Sequence, residues 1–284
     1  MARCGTSSLA DWLGQHPEIH TSPVKETNFF SRPDLHTHGP GDEKLNSPPP
    51  TLPEGNFARI HVAGIFSAQD YKRCLQPVDE AKFLRGEASV SYSFYPEAAR
   101  RLHEANPECR LVFVLREPVE RAWSNHLFFR KLGRETLSFA EALAREPQRL
   151  AQGYEFGWAY AGLSQYRRAL QNFLRYFPAA QIHCAQFESL IARGEREPWE
   201  ELLLFLGVDC EFEPRRSHLA PHLQETPLLE EALAQRLREQ WHDEIEFYHA
   251  LFAPGRNGVQ LLASLVPSEV VQTRGDWRSR LRGA

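Results

Sequence analysis

Arg110-Leu111-Val112-Phe113-Val114-Leu115-Arg116-Glu117-Pro118-Val119-Glu120-Arg121-Ala122-Trp123-Ser124 carries the pattern that decides the fold. Arg110 to Leu115 is a short, β-branched, apolar run without alternation, as expected of a strand covered on both faces. Arg116 ends that run. Pro118 then opens a helix expected over 118–131, at a position where its missing N–H is harmless. A strand that hands over to a helix implies a mostly parallel sheet with right-handed crossovers. Ligands in such sheets bind at the carboxyl ends of the strands, where Arg116 sits.

Working outward, Arg3-Cys4-Gly5-Thr6-Ser7-Ser8-Leu9 has the same character. A Gly-Thr-Ser turn opens a helix expected over 6–15, capped by Thr6, Ser7 or Ser8, with Leu9, Trp12 and Leu13 on one face. His16-Pro17 ends it. Further helices are expected over 67–75, 94–105, about 158–177, 197–206 (stopped by Gly207) and 226–249, and a second buried strand over 181–186. In the 158–177 helix Tyr160, Leu163, Tyr166, Leu170, Phe173, Leu174 and Phe177 form an apolar stripe, read as core. Breakers cluster in 31–56, including Gly39-Pro40-Gly41-Asp42 and Ser47-Pro48-Pro49-Pro50. We read 31–60 as an exposed loop or lid within a single 1–284 domain, because the α/β rhythm resumes after it. Only Met1 and Ala2 precede Arg3, so the strand that would aim the first turn is expected to be missing and the start truncated.

The chain has 284 residues, 42% apolar and 25% charged, with a formal net charge of −4. That balance does not suggest a nucleic-acid partner. No long apolar run suggests a membrane span, and no cleavable leader is seen, so cytoplasm is the expectation. The five cysteines are scattered and odd in number, which fits a reducing compartment rather than a zinc site or a disulfide framework.

Both opening segments place anion-binding groups where a strand meets a helix. Helix N-terminal amides hold phosphate, and Gly5 allows close backbone approach. Arg116 offers a charged fork and Ser124 a hydroxyl. Two such sites suit a nucleotide phosphorylated at two positions. On the residues alone, the first turn also reads as an ordinary capped helix with an arginine beside it. Arg121 either supports the second site or, as we expect, pairs with Glu117 on the helix surface.

These segments resemble the PAPS-dependent sulfotransferase family, with the heparan sulfate sulfotransferase branch and its bacterial relatives the nearest in pattern. The resemblance runs from Arg3 to about Gly207. Its anchors are Arg3 to Leu9, Lys25-Glu26-Thr27-Asn28-Phe29-Phe30, Gly86 to Tyr92, Arg116 to Ser124, and Tyr160 to Tyr166 with the strand after it. It implies a P-loop-like three-layer α/β fold with a mostly parallel central sheet. The implied reaction is transfer of a sulfuryl group from 3′-phosphoadenosine 5′-phosphosulfate (PAPS) to a hydroxyl or amine of a carbohydrate or small-molecule acceptor. The product nucleotide would be adenosine 3′,5′-bisphosphate.

By the same resemblance, Arg3, Cys4, Gly5, Thr6, Ser7 and Ser8 bind the 5′-phosphosulfate, with Arg3 standing where lysine is usual. Arginine keeps the charge but gives up no proton, so its role is electrostatic. Arg116 and Ser124 bind the 3′-phosphate, and Glu26 takes the acceptor proton. His20, His61 and His126 are rival bases. The family's Gly-Glu-Lys-Ser-Pro-x-Tyr segment here reads Gly86-Glu87-Ala88-Ser89-Val90-Ser91-Tyr92, so Ala88 replaces a lysine, and Lys25 or Lys72 is left to supply its charge. No metal is required. His218-Leu219-Ala220-Pro221-His222 has the spacing of a metal pair, but Pro221 and the lack of a third ligand argue against one. Two rivals remain. A kinase needs magnesium and a lysine after the loop glycine, where Thr6 stands. A non-catalytic bisphosphate-binding homologue needs only the two anion sites.

Overall fold

Gly5 turns the chain into helix α1 (Thr6–Gln15), which is followed by strands β1 (Ile19–Thr21) and β2 (Val24–Lys25). The computed structural model describes residues 1–31, 60–61, 65, 68–77, 79–216, 227–253 and 258–266. The chain continues through β3 (Ile60–His61), α2 (Ala68–Cys74), β4 (Leu84–Gly86), α3 (Pro96–Ala105), β5 (Leu111–Leu115), α4 (Pro118–Lys131) and α5 (Phe139–Ala151). Then come α6 (Tyr166–Leu174), β6 (Ile182–Gln186), α7 (Arg196–Leu206), α8 (Glu231–Gln240), α9 (His242–Leu251) and α10 (Gly258–Ser264). Most of the proposed 31–60 lid and the His218–His222 pair lie outside the described residues. No described helix is long and apolar enough to cross a membrane.

Every described ladder is parallel. β1 pairs with β4, with Ile19 opposite Leu84. β2 pairs with β3, and β5 pairs with β6 from Leu111–Ile182 to Leu115–Gln186. This is the α/β architecture with a mostly parallel sheet that the sequence predicts. Leu115 is wholly buried and Val114 nearly so. Burying side chains of this size contributes roughly 1.5–3 kcal/mol each, which explains why so short a strand holds its register. The main core lies between β5, β6 and helices α1, α6, α7 and α9, with Trp12 and Trp199 meeting edge to face at 6.3 Å.

Two expected helices differ. The 158–177 segment is not continuous: 3-10 turns at Phe156–Trp158 and Gly162–Ser164 precede α6. The cause is Glu146 on α5, whose carboxylate accepts the Ala161 and Gly162 N–H groups at 2.7 and 2.9 Å. Its apolar stripe is nonetheless core, from Tyr160 to Phe177. The 226–249 segment divides at Trp241, whose φ of −106° and ψ of 22° end α8 before α9 begins.

Candidate active site

The first turn has the backbone its glycine allows. Gly5 is left-handed, with φ 76°. A Cβ there would lie 2.7 Å from Ile191 Cγ2. The loop therefore packs more closely against the π-helical turn Phe187–Arg193 than any other residue permits. Gly5, the residue at the N-cap of α1, has no side chain to cap the helix. Its first N–H groups keep their outward-facing positive potential for an anion. Thr6 and Ser8 are half-buried beside them, Ser7 is exposed, and Cys4 is wholly buried beneath. Met1, at the head of this segment, donates from its ammonium to Val114 O at 3.2 Å, which puts the turn against β5.

At the end of β5, Tyr166 donates its hydroxyl to Arg116 O at 2.7 Å and fixes the backbone. The Arg116 guanidinium lies over the Phe187 ring at 4.8 Å and reaches Glu120 at 3.5 Å. Ser124 is buried on the facing side of α4. Its hydroxyl accepts from Arg3 Nε at 3.4 Å, and the Arg3 guanidinium rests over Phe128 at 4.5 Å. The two predicted anion sites therefore meet. Desolvation, then the charges of Arg116 and Arg121, hold the Arg3 pKa below its ordinary value, although Arg3 stays open to solvent.

Arg121 is not the surface partner of Glu117. It is wholly buried, donating from Nε to Ser164 Oγ at 2.7 Å and from Nη2 to Tyr160 O. Glu117 instead caps α4, accepting the Glu120 N–H at 2.7 Å. Position explains the difference: Arg121 lies on the helix face turned inward with Val119, Ala122 and Ser124. Among the described residues its Nη1 has no hydrogen-bond partner. Burial pushes its pKa down. Arg3, Arg116 and Arg121 thus concentrate positive charge at one end of the sheet.

Glu26 follows β2 in a left-handed conformation, φ 61°. The carboxylate is buried. Lys25 Nζ pairs with Oε1, and the Val90 N–H donates to Oε2 at 2.8 Å. Phe30 is buried, and Phe29 stacks on Tyr71 at 4.4 Å, anchoring the segment. Lys25, not the exposed Lys72, is the lysine that reaches Glu26, while Ala88 O accepts the Glu26 N–H at 2.9 Å. The charges of Glu26, Lys25 and Arg121 all act on the Met1 ammonium, so the candidate base lies near the first turn.

The rival histidines have structural partners. His20 Nε2 bonds Cys74 O at 3.0 Å. His126 is buried, bonds Leu137 O, stacks on Trp123 at 5.4 Å, and has its pKa lowered by burial. The His61 side chain lies outside the described residues. Among the described residues no group of three His, Cys, Asp or Glu is placed to hold a metal. Sequence reading missed the scaffold behind Glu26, formed by Thr27, Glu87, Ser89 and Tyr92. Spaced polar residues in a loop carry no periodicity that would have revealed it.

This geometry belongs to a known class. The Sulfotransferase family profile matches residues 1–214, and the chain belongs to that family. A solved sulfotransferase from Alicyclobacillus acidocaldarius is 33% identical, with TM-score 0.74, over 91% of this chain and 95% of that one. Mouse carbohydrate sulfotransferase 15 is 27% identical over 172 residues, 51% of this chain and 29% of that protein. Mouse heparan sulfate glucosamine 3-O-sulfotransferase 5 is 25% identical over 203 residues, 70% and 48% respectively. The chain spans about half or less of the length of these mouse relatives.

Proposed function

We propose that this chain is a PAPS-dependent sulfotransferase acting on a hydroxyl or amine of a carbohydrate or small-molecule acceptor, on a single P-loop-like domain. The observation that carries this reading is the Arg3–Ser124 contact, which joins the 5′ loop to the 3′ site. The residues present fit a doubly phosphorylated nucleotide. A helix start whose cap is glycine and three arginines, one with a buried Nη1 that has no hydrogen-bond partner among the described residues, come together. PAPS supplies the sulfuryl group when bound, and adenosine 3′,5′-bisphosphate is what remains of it.

In this reading the amides of Thr6, Ser7 and Ser8 orient the 5′-phosphosulfate, assisted by the Cys4 and Gly5 backbone. Arg116 and Ser124 hold the 3′-phosphate. Arg3 stabilises the charge that develops on the leaving side, where a preorganised cation is most effective. Glu26 accepts the acceptor proton at a carboxylate oxygen, and Lys25 pairs with that carboxylate and helps to hold it in place. Lys25 thereby offsets the lysine missing at Ala88. All five cysteines are unpaired, which supports the cytoplasmic setting we assign.

The test is a thermal-shift comparison followed by transfer from labelled PAPS to a panel of desulfated heparan, chondroitin and phenolic acceptors. The bisphosphate is expected to stabilise the protein without magnesium, and label is expected in at least one acceptor. Stabilisation by ATP with magnesium alone would point to a kinase. Tight bisphosphate binding with no labelled acceptor would point to a non-catalytic binder.

A further inference from the structure

Glu87 lies just past the carboxyl end of β4, across from the segment that carries Glu26. The turn Glu26–Thr27–Asn28 is unusual, because Glu26 and Asn28 are both left-handed without being glycine, with φ 61° and 53°. Such residues cost free energy and persist only where their surroundings fix them. The Asn28 amide closes the turn onto Glu26 O at 3.0 Å and accepts from Ser91 Oγ at 2.6 Å, and a chain of hydroxyls holds it from the other side. Ser89 Oγ donates to Glu87 Oε2 at 2.7 Å. Its hydrogen being spent there, Ser89 Oγ accepts the Asn28 N–H at 3.0 Å and meets Thr27 Oγ1 at 3.2 Å. Thr27 Oγ1 in turn meets the Tyr92 hydroxyl at 3.0 Å. The Glu87 carboxylate is the terminal acceptor that gives this chain one direction.

We propose that Glu87 is the positioning residue of the base: through Ser89 and Thr27 its carboxylate holds the left-handed turn that presents Glu26. The proposal rests on the reading of Glu26 as the base. A proton taken up on Oε2 of Glu87, the oxygen that accepts from Ser89, turns that oxygen from acceptor into donor, reverses the direction of the chain and loosens the turn. Burial pushes the Glu87 pKa up to about 7, against the pull of the Tyr92, Ser89 and Thr27 hydroxyls, and the Glu26 charge adds to the rise. The other groups facing Glu87 are Tyr71 and Cys74 from α2, whose own pKa values burial raises, and Tyr92. None of these loses its proton near neutrality, so the switch belongs to Glu87.

The experiment uses the full chain with Glu87→Gln and Glu87→Ala, and two readouts. The first is hydrogen exchange over residues 26–31 at fixed pH 8, which needs no acceptor. Glu87→Ala is expected to speed exchange there, and Glu87→Gln, whose amide oxygen still accepts from Ser89, to leave it slow. The second is the pH profile of kcat with the best acceptor of the panel above. The native enzyme is expected to lose turnover as pH falls through about 7, and Glu87→Gln to lose that step. Glu87→Ala is expected to lower kcat by up to roughly 10²-fold, the scale of a misplacement near 1 Å, with the Kd for adenosine 3′,5′-bisphosphate unchanged. Native exchange rates in Glu87→Ala, or a step near pH 7 that survives in Glu87→Gln, would overturn the proposal. Full turnover in Glu26→Gln would instead remove the base reading, while the exchange result still reports on the hold itself.

Discussion

Arg3 Nε lies 3.4 Å from Ser124 Oγ, although 121 residues separate them in the chain. One residue belongs to the turn before α1 and the other to the helix after β5. Their contact brings the turn that opens α1 against the junction between β5 and α4. Arg116 and Arg121 act on the same guanidinium, so positive charge is concentrated there.

The second junction gives the most direct expectation. Arg116→Ala removes the charged fork, and its bisphosphate affinity is expected to fall by about 10²-fold or more, as for truncation of one partner of a charged hydrogen-bonded pair. Ser124→Ala removes one hydroxyl and is expected to cost about 1 kcal/mol, roughly fivefold. Titration calorimetry with adenosine 3′,5′-bisphosphate measures both. Native affinity in Arg116→Ala would move the 3′-phosphate elsewhere.

Glu26→Gln keeps the shape of the side chain and its acceptor oxygen but lowers its basicity. Nucleotide affinity is expected to remain native, while kcat falls by roughly 10²–10⁴-fold, the usual contribution of a general base. Parallel losses of binding and turnover would mean that the residue shapes the nucleotide pocket instead.

Gly5→Ala forces a Cβ to within 2.7 Å of Ile191 in a left-handed backbone. A stability loss of about 1–3 kcal/mol is expected. At about 2–4 °C per kcal/mol for a chain of this size, the change is visible in Tm. Bisphosphate affinity is expected to fall with it, because the amides next to Gly5 move. A double variant that also carries Ile191→Ala is expected to recover part of both.

Arg121→Ala removes the donors to Ser164 Oγ and Tyr160 O, leaving Ser164 only its own bond to Pro118 O, and leaves a cavity beneath α4. The expected loss is roughly 3 kcal/mol, read by denaturant unfolding. Arg121→Met fills the space without the charge. It is expected to be more stable than Arg121→Ala while still binding the nucleotide less tightly than the native protein.

Acid sensitivity is expected from His183 on β6, which stacks on Phe205 at 5.2 Å. Burial depresses its pKa to about 4. The unfolded chain protonates this imidazole near 6.5 and the folded chain only near 4. Stability is therefore fully present above about 6.5 and is lost progressively as pH falls to about 4, by roughly 2–3 kcal/mol. His183→Phe is expected to flatten the stability profile across that window. An unchanged slope would assign the sensitivity to other groups.

Short-range signals made much of this legible in the sequence. The unbroken Leu111–Leu115 run, Pro118 at a helix start, and Gly207 at a helix end each act within a few residues, and each appears where expected. Arg121 was misread because an arginine near a glutamate looks like a surface pair until the helix face is known. The break before α6 depends on Glu146, which arrives from a different helix, so no local pattern announced it. The capping box of Ser138 and Glu141 would have revealed α5, the helix that carries Glu146. Of the candidate site, the segments around Gly5 and Arg116 and the residue Glu26 stand out as local sequence patterns, whereas the hydroxyl chain behind Glu26 exists only through pairings across more than sixty positions, as between Thr27 and Ser89.

Phe187 and Ile191 stand on the same π-helical turn, one beneath the Arg116 guanidinium and the other pressed against Gly5. One turn of backbone therefore spans the distance between the Arg116 guanidinium and the Gly5 loop, like a caliper. On the function proposed above, a ligand would be measured by the separation of its charged ends and not by their total charge, and ATP, with all its phosphates on one arm, would fill one jaw and leave the other empty.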